Sequence, residues 1–236
     1  MIDGSAGAIE VRVDVVPAPA AAARRGAEVI AAVAREAVVE RASCAIAVSG
    51  GTTPWQMFRA LADEDVPWDA LGIWQVDERI APRDDDDRSL THLLASLPRA
   101  ARIHAMPVDG DADGLEARAA TYAAGLPARF DVVHLGLGDD GHTASLVPGD
   151  PVLGVHDHDV ALTAPYRGHR RMTLTYPVLD RARSVLFLVT GEDKAPPLRM
   201  LLARDRSIPA ARVQAADQRA IVDRAALLDD GSAPGP

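Results

Sequence analysis

Apolar and polar residues alternate along "IEVRVDVV" (9–16), the two-residue period of a half-buried strand. The period then lengthens. In "PAPAAAARRGAEVIAAVAREAVVERAS", Ile30, Val33, Ala37 and Val38 fall at helical spacing, which predicts an amphipathic helix. Short apolar runs follow in "CAIAVSGG" (44–51), "GIWQVDER" (72–79) and "FDVVHLGLG" (130–138). Each predicts a buried strand that runs out into glycines or charges. "TPWQMFRALAD" predicts a helix with Thr53 as N-cap and Pro54 at its first position. "DRSLTHLLASL" and "DGLEARAATYAAGL" predict two more helices, and "DVALTAP", "RMTLTY" and "SVLFLVTG" three more strands. "EDKAPPLRMLLAR" predicts a helix whose first turn is shifted or broken by Pro196 and Pro197, and "DQRAIVDRAALL" a last helix.

Strands that alternate with helices imply an α/β fold: a single doubly wound, mostly parallel sheet with helices on both faces. One domain is expected over 1–230, with the tail 231–236 disordered. In open α/β sheets, ligands bind outside the carboxyl ends of the strands. "SGGTTP", "DERIAP" and "GLGDDGHTAS" all follow strands, so they should converge on one site.

Hydrophobic residues make up 48% of the 236-residue chain but aromatics only 4%, so Ala, Val and Leu must fill the core. The net charge of −9 argues against a nucleic-acid partner, which would call for a basic face. It leaves room for a small anionic ligand held by a local cationic pocket. Cys44, in an apolar run, reads as a buried small hydrophobe rather than a nucleophile. Neither a signal peptide nor a membrane-spanning run is expected, which predicts a cytoplasmic protein.

In "SGGTTP", Gly50 and Gly51 let backbone N–H groups face an anion at a helix N-terminus, and Ser49, Thr52 and Thr53 add hydroxyls. The Gly-Lys-Ser/Thr ending of a nucleotide-binding P-loop is missing. "DER" offers Arg79 for an anion or polarised oxygen, with Asp77 beside it, or else a surface ion pair. "DDDD" (84–87) reads as a solvated loop, and "HDHD" (156–159) as an exposed one rather than a metal pair. Arg167, Arg170, Arg171 and Lys194 are the best candidates for meeting a phosphate. His142 follows three glycines, where the backbone turns, and a histidine titrates near neutrality, which suits proton abstraction. With no G-x-S-x-G elbow and no reactive cysteine, water is the nucleophile that this arrangement suggests.

The motifs "SGGTTP", "DERIAPRDDDDRS", "LGLGDDGHTASLVPG", "RMTLTYPVL" and "GEDKA", in this order and at these distances, resemble the 6-phosphogluconolactonase family from about residue 44 to 203. The resemblance implies a doubly wound α/β fold shared with glucosamine-6-phosphate deaminase. It implies hydrolysis of 6-phospho-D-glucono-1,5-lactone to 6-phosphogluconate in the oxidative pentose phosphate pathway, without metal or cofactor. It also implies His142 as general base and Asp77 and Arg79 in the site. Phosphate binding falls to the glycine-rich loop (Ser49, Gly50, Gly51, Thr52) with Arg171 and Lys194. The expected partner is the small-molecule substrate, with no nucleic acid and no membrane, in a monomer or weak homodimer.

Three positions depart from the family's pattern: Val147 for a usual Phe, Ser89 for a usual Asn, and Ala220-Ile221-Val222 where an aromatic is common. Two alternatives remain, a deaminase-like enzyme and a sugar-phosphate-binding module without turnover. The deaminase pattern has Asp-Glu-Tyr where Asp77-Glu78-Arg79 stands and a Glu that "HTASLVPG" lacks. A module without turnover would be expected to lose His142.

Overall fold

A computed structural model describes residues 10–83, 85–109 and 112–228. The expected tail at 231–236 lies outside the described residues. Alternation along β1 (Val11–Val16), α1 (Pro19–Arg41), β2 (Cys44–Val48), α2 (Thr52–Ala62) and β3 (Leu71–Gln75) is the winding that the periodicity predicts. After β3 come β4 (Asp77–Arg79), α3 (Ser89–Ser96), β5 (Arg102–His104), α4 (Leu115–Ala124) and β6 (Val132–Leu135). The chain continues through β7 (Val160–Leu162), β8 (Arg171–Leu174), α5 (Tyr176–Asp180), β9 (Ser184–Val189), α6 (Ala195–Leu202) and β10 (Gln218–Asp223).

Seven strands form one parallel sheet in the order β1-β10-β9-β6-β2-β3-β5. Its two faces bury separate cores. Ala22, Ile30 and Ala34 of α1 and Met57, Phe58 and Leu61 of α2 cover one face. Tyr122 of α4, Leu179 of α5 and Leu198 and Leu201 of α6 cover the other. The low aromatic content is met as expected: small alanines let α1 lie close to the sheet, and Ala22, Ala27, Ala31, Ala34 and Ala37 are fully buried. Cys44 is buried too, and burial pushes its thiol up to about 12, which removes it as a nucleophile.

Four expectations need correction. The segment 217–228 is not a helix: Gln218–Asp223 is β10, followed by a 3-10 turn at Ala225–Leu227. β10 is an interior strand between β1 and β9, and both its faces are buried. Ala220 and Val222 enter one core and Ile221 the other. A strand buried on both sides shows an unbroken apolar run, which periodicity does not separate from a helical stripe. The run 72–79 is also not one strand. It breaks after Gln75, and Asp77–Arg79 leaves the main sheet for a second, antiparallel one, β4-β8-β7. The α2 helix begins at Thr52 rather than Pro54. Its N-cap is Gly51, at φ 138°, a conformation that a side chain would strain, while Thr53 Oγ1 instead meets Thr190 Oγ1 at 2.8 Å. Pro196 and Pro197 break nothing. They sit in the first turn of α6, where no backbone N–H is needed.

Candidate active site

The loops after β2, β3, β6 and β9 meet at the carboxyl pole of the sheet around a cleft of about 610 Å³. Ser49, Gly50, Gly51 and Thr52 form one wall, and Asp77 and Arg79 come from β4. His142 comes from the loop after β6, Arg171 from β8, and Lys194 from the 3-10 turn before α6. These nine residues and Arg167 therefore line one cleft, whereas two other candidates do not: Thr53 bonds Thr190, and Arg170 turns its Nε to Thr163 O at 3.3 Å. The exposed "HDHD" segment stays away from it.

The loop after β6 is closed by backbone bonds: Gly138 N–H donates to His142 O at 2.8 Å and Gly141 N–H to Gly138 O at 3.0 Å. Gly138 is required by the close approach, since a Cβ there would lie 2.0 Å from His142 Nδ1. Asp140 Oδ1 accepts the His142 backbone N–H at 3.0 Å and lies 2.5 Å from the ring Nδ1. Its Oδ2 accepts the Tyr166 hydroxyl at 3.0 Å. Partial burial pushes the Asp140 carboxyl up, but the bonds from His142 and Tyr166 outweigh it and hold the group below its usual value. A carboxylate only accepts, so it fixes the imidazole with hydrogen on Nδ1 and the lone pair on Nε2. The half-buried ring lies edge-on to Tyr166.

Antiparallel pairing of β4 and β8 sets the opposite wall, with Asp77 across from Thr173 and Arg79 across from Arg171. Asp77 is largely buried, its side chain 12% exposed. Burial pushes its carboxyl up, against the pull of the Ser145 hydroxyl, 2.5 Å from Oδ2, and of Arg171, whose Nη1 is 3.8 Å away. Arg171 is buried as well, its guanidinium pushed down by desolvation and held by Asp77. Its Nε is buried without a hydrogen-bond partner, as is Ser49 Oγ. Such orphaned polar atoms beside a cleft are what a polar ligand would satisfy.

The expected cationic pocket is only half present. Arg79, Arg167, Arg171 and Lys194 all line the cleft, but each has an aspartate beside it. Arg79 Nη1 donates to Asp87 O at 2.6 Å and lies 3.4 Å from Asp87 Oδ1. Arg167 pairs with Asp139 at 2.9 Å, and Lys194 with Asp193 at 2.9 Å. Asp87, Asp139 and Asp193 are more than half exposed, so those pairs are weak and open to exchange. The Asp77–Arg171 pair is buried and fixed.

Sequence reasoning missed Tyr166, Trp55, His92 and Glu78. Trp55 stacks near His92 on the cleft wall. Glu78 is fully buried. Its Oε1 accepts N–H groups from Arg79 and Ser89, and its Oε2 accepts from Leu90 and from the Gln75 amide. Its place in "DER" was the only signal. Ser89, which stands where an Asn is usual, lines the cleft and sits at the first turn of α3. The acidic run is exposed at Asp86 and Asp87 as expected, but both also line the cleft, and Asp87 Oδ2 meets His169 at 3.0 Å. Asp84 lies outside the described residues.

Among the described residues, no helix is long and apolar enough to cross a membrane. A family model for glucosamine-6-phosphate isomerases/6-phosphogluconolactonase matches residues 17–222. The chain is 39% identical over 183 residues to a 6-phosphogluconolactonase of Synechocystis sp., covering 71% of this chain and 75% of the relative. It is 35% identical over 204 residues to a 6-phosphogluconolactonase of Nostoc sp., covering 81% and 85% respectively. The crystal structure of a 6-phosphogluconolactonase from Shewanella baltica superposes with a TM-score of 0.81 at 28% identity, over 92% of this chain and 99% of that one. The chain belongs to the glucosamine-6-phosphate isomerase/6-phosphogluconolactonase family.

Proposed function

We propose that this protein hydrolyses 6-phospho-D-glucono-1,5-lactone to 6-phosphogluconate, with His142 as the general base. The observation that carries the role is the Asp140–His142 contact, which leaves Nε2 as the free proton acceptor on the cleft wall. A water attacks the lactone carbonyl carbon as Nε2 takes its proton. The bond between that carbon and the ring oxygen then breaks, and the imidazolium returns the proton to the departing oxygen. Asp140 stabilises the imidazolium in between, as an orienting carboxylate does in other histidine sites. Arg171, Lys194 and the backbone donors at the start of α2 hold the phosphate, while Arg79 and Asp77 shape the site around the ring.

The test is acid release from freshly generated lactone, measured against the spontaneous rate. His142→Ala should lower kcat by about 10²–10⁴-fold with 6-phosphogluconate binding intact. A His142→Ala enzyme of undiminished kcat would overturn the role. Ammonia release from glucosamine-6-phosphate by the wild type would overturn the choice of substrate.

A further inference from the structure

The cleft uses the carboxyl pole of the sheet. The opposite pole carries a second hollow, of about 420 Å³, built where β2, β3, β5 and β6 begin. Four arginines line it: Arg41 at the end of α1, Arg102 at the start of β5, Arg129 just before β6, and Arg183 just before β9. The one carboxylate among the lining residues is Asp131, which is buried. Its Oδ1 meets Arg41 Nη2 at 2.8 Å and Arg183 Nε at 3.3 Å, and its Oδ2 accepts the Ala45 N–H at 2.9 Å. Asp131 thus gathers two guanidiniums at one fixed oxygen. Glu40 meets Arg41 from the neighbouring groove. Arg102 and Arg129 are exposed and have no acidic partner among the described residues.

An acidic chain of net charge −9 has concentrated an excess of positive charge here, where the hydrolytic site makes no use of it. Four guanidiniums face two carboxylates, Asp131 and Glu40, so the hollow has a net positive field that attracts an anion. Trp74 and His104 of the lining stack on each other, with ring centroids 3.9 Å apart and planes 1° from parallel, and His104 is the exposed ring of the pair. Guanidinium forks match phosphate oxygens, and an exposed stacked ring suits a planar group attached to them. We propose that this hollow binds a phosphorylated small molecule carrying at least two negative charges, at a site separate from the catalytic cleft. The assignment does not depend on the lactonase reading, since no residue of the cleft takes part.

Tryptophan emission reads this site, because Trp74 lines the hollow and a Trp55→Phe background silences the reporter in the cleft. That protein is titrated at low ionic strength with pyrophosphate and, separately, with ADP. A saturable change is expected with both, and Arg102→Ser/Arg129→Ser should weaken it about tenfold or more. Tighter binding of ADP assigns part of the affinity to the Trp74–His104 stack; equal binding assigns it to the phosphates alone. The unliganded double variant should melt with the wild type, since both side chains are exposed. No saturable change with either ligand, or an unchanged titration in a folded double variant, overturns the proposal.

Discussion

Lys194 is less than a quarter exposed, and its ammonium is held by its chain neighbour Asp193, which is 67% exposed. A phosphate dianion entering the cleft competes with that carboxylate for the same three donors. An exposed pair contributes about 0.2–1 kcal/mol, so neutralising the aspartate should release a comparable amount to the ligand. Asp193→Asn is therefore expected to lower KM, by up to about fivefold, with kcat unchanged, while Lys194→Ala raises it. Arg171→Ala should raise KM as well and should also weaken inhibition by 6-phosphogluconate. Its guanidinium has no exposed competitor, so no neutralising variant can imitate the Asp193 effect there. Initial-rate kinetics decide this: a KM that rises in Asp193→Asn, or stays put in both cation variants, removes these groups from phosphate binding. The residue types behind this argument stand in the sequence, but their pairings do not. Lys194 and Asp193 are adjacent in the chain, whereas Asp140 and Tyr166, or Asp77 and Arg171, meet only once the strands have paired.

At the scale of the element, two buried groups decide whether the cleft keeps its shape. Glu78 joins β4 to the first turn of α3, accepting the N–H groups of Ser89 and Leu90, which have no acceptor within the helix. It also lies 3.4 Å from Arg88 Nε, an ion pair without good hydrogen-bond geometry, in a place where Arg88 is only 1% exposed. Glu78→Gln leaves one oxygen for donors that now use two, and removes a counter-charge from a buried guanidinium. Breaking such a pair costs about 3–5 kcal/mol, less whatever Asp109 continues to supply. Denaturant unfolding should show that loss, and kcat/KM should fall with it because the same carboxylate holds the Arg79 N–H. Unchanged unfolding would mean that the α3 cap contributes nothing. The second group is His134 of β6, whose two ring nitrogens are buried without partners beside Phe58. Burial pushes it from 6.5 down to about 3. Between those values the unfolded chain binds a proton that the folded one refuses, so stability falls as pH drops below about 6.5, by up to roughly 1.4 kcal/mol per pH unit. His134→Leu should flatten that slope relative to wild type between pH 7 and pH 4.5. Parallel urea-midpoint curves for the two proteins would show that His134 carries no such penalty.

Over the whole molecule, the sequence was most legible where a single period dominates. The parallel strands other than β5 and β10, the long helix α1 and the convergence of three loops follow from local pattern and from the rule that ligands sit at the carboxyl pole, whereas β5, three residues at the sheet edge, is too short to show a period. Illegible were the features made by distant pairing. β10 was hidden because burial on both faces erases alternation. The second sheet was hidden because β4 and β8 meet across almost a hundred residues. The ligation chemistry of the β6 loop belongs to the same class. Asp139, Asp140 and His142 offer donor atoms within 4.8 Å of one another, which on composition alone could hold a cation. Each is already engaged: Asp139 by Arg167, Asp140 by Tyr166 and His142, and His142 Nδ1 by Asp140. A metal there would have to displace Arg167 and separate Asp140 from His142, taking away the proposed general base. A lactone is an activated ester, and fixed cationic and backbone donors can stabilise the charge that develops on its oxygen. Protein treated with EDTA is therefore expected to hydrolyse the lactone at an undiminished rate, and added zinc should inhibit by competing for His142. Loss of turnover on chelation, restored by zinc or magnesium, would sink the metal-free mechanism and turn this loop into a metal centre.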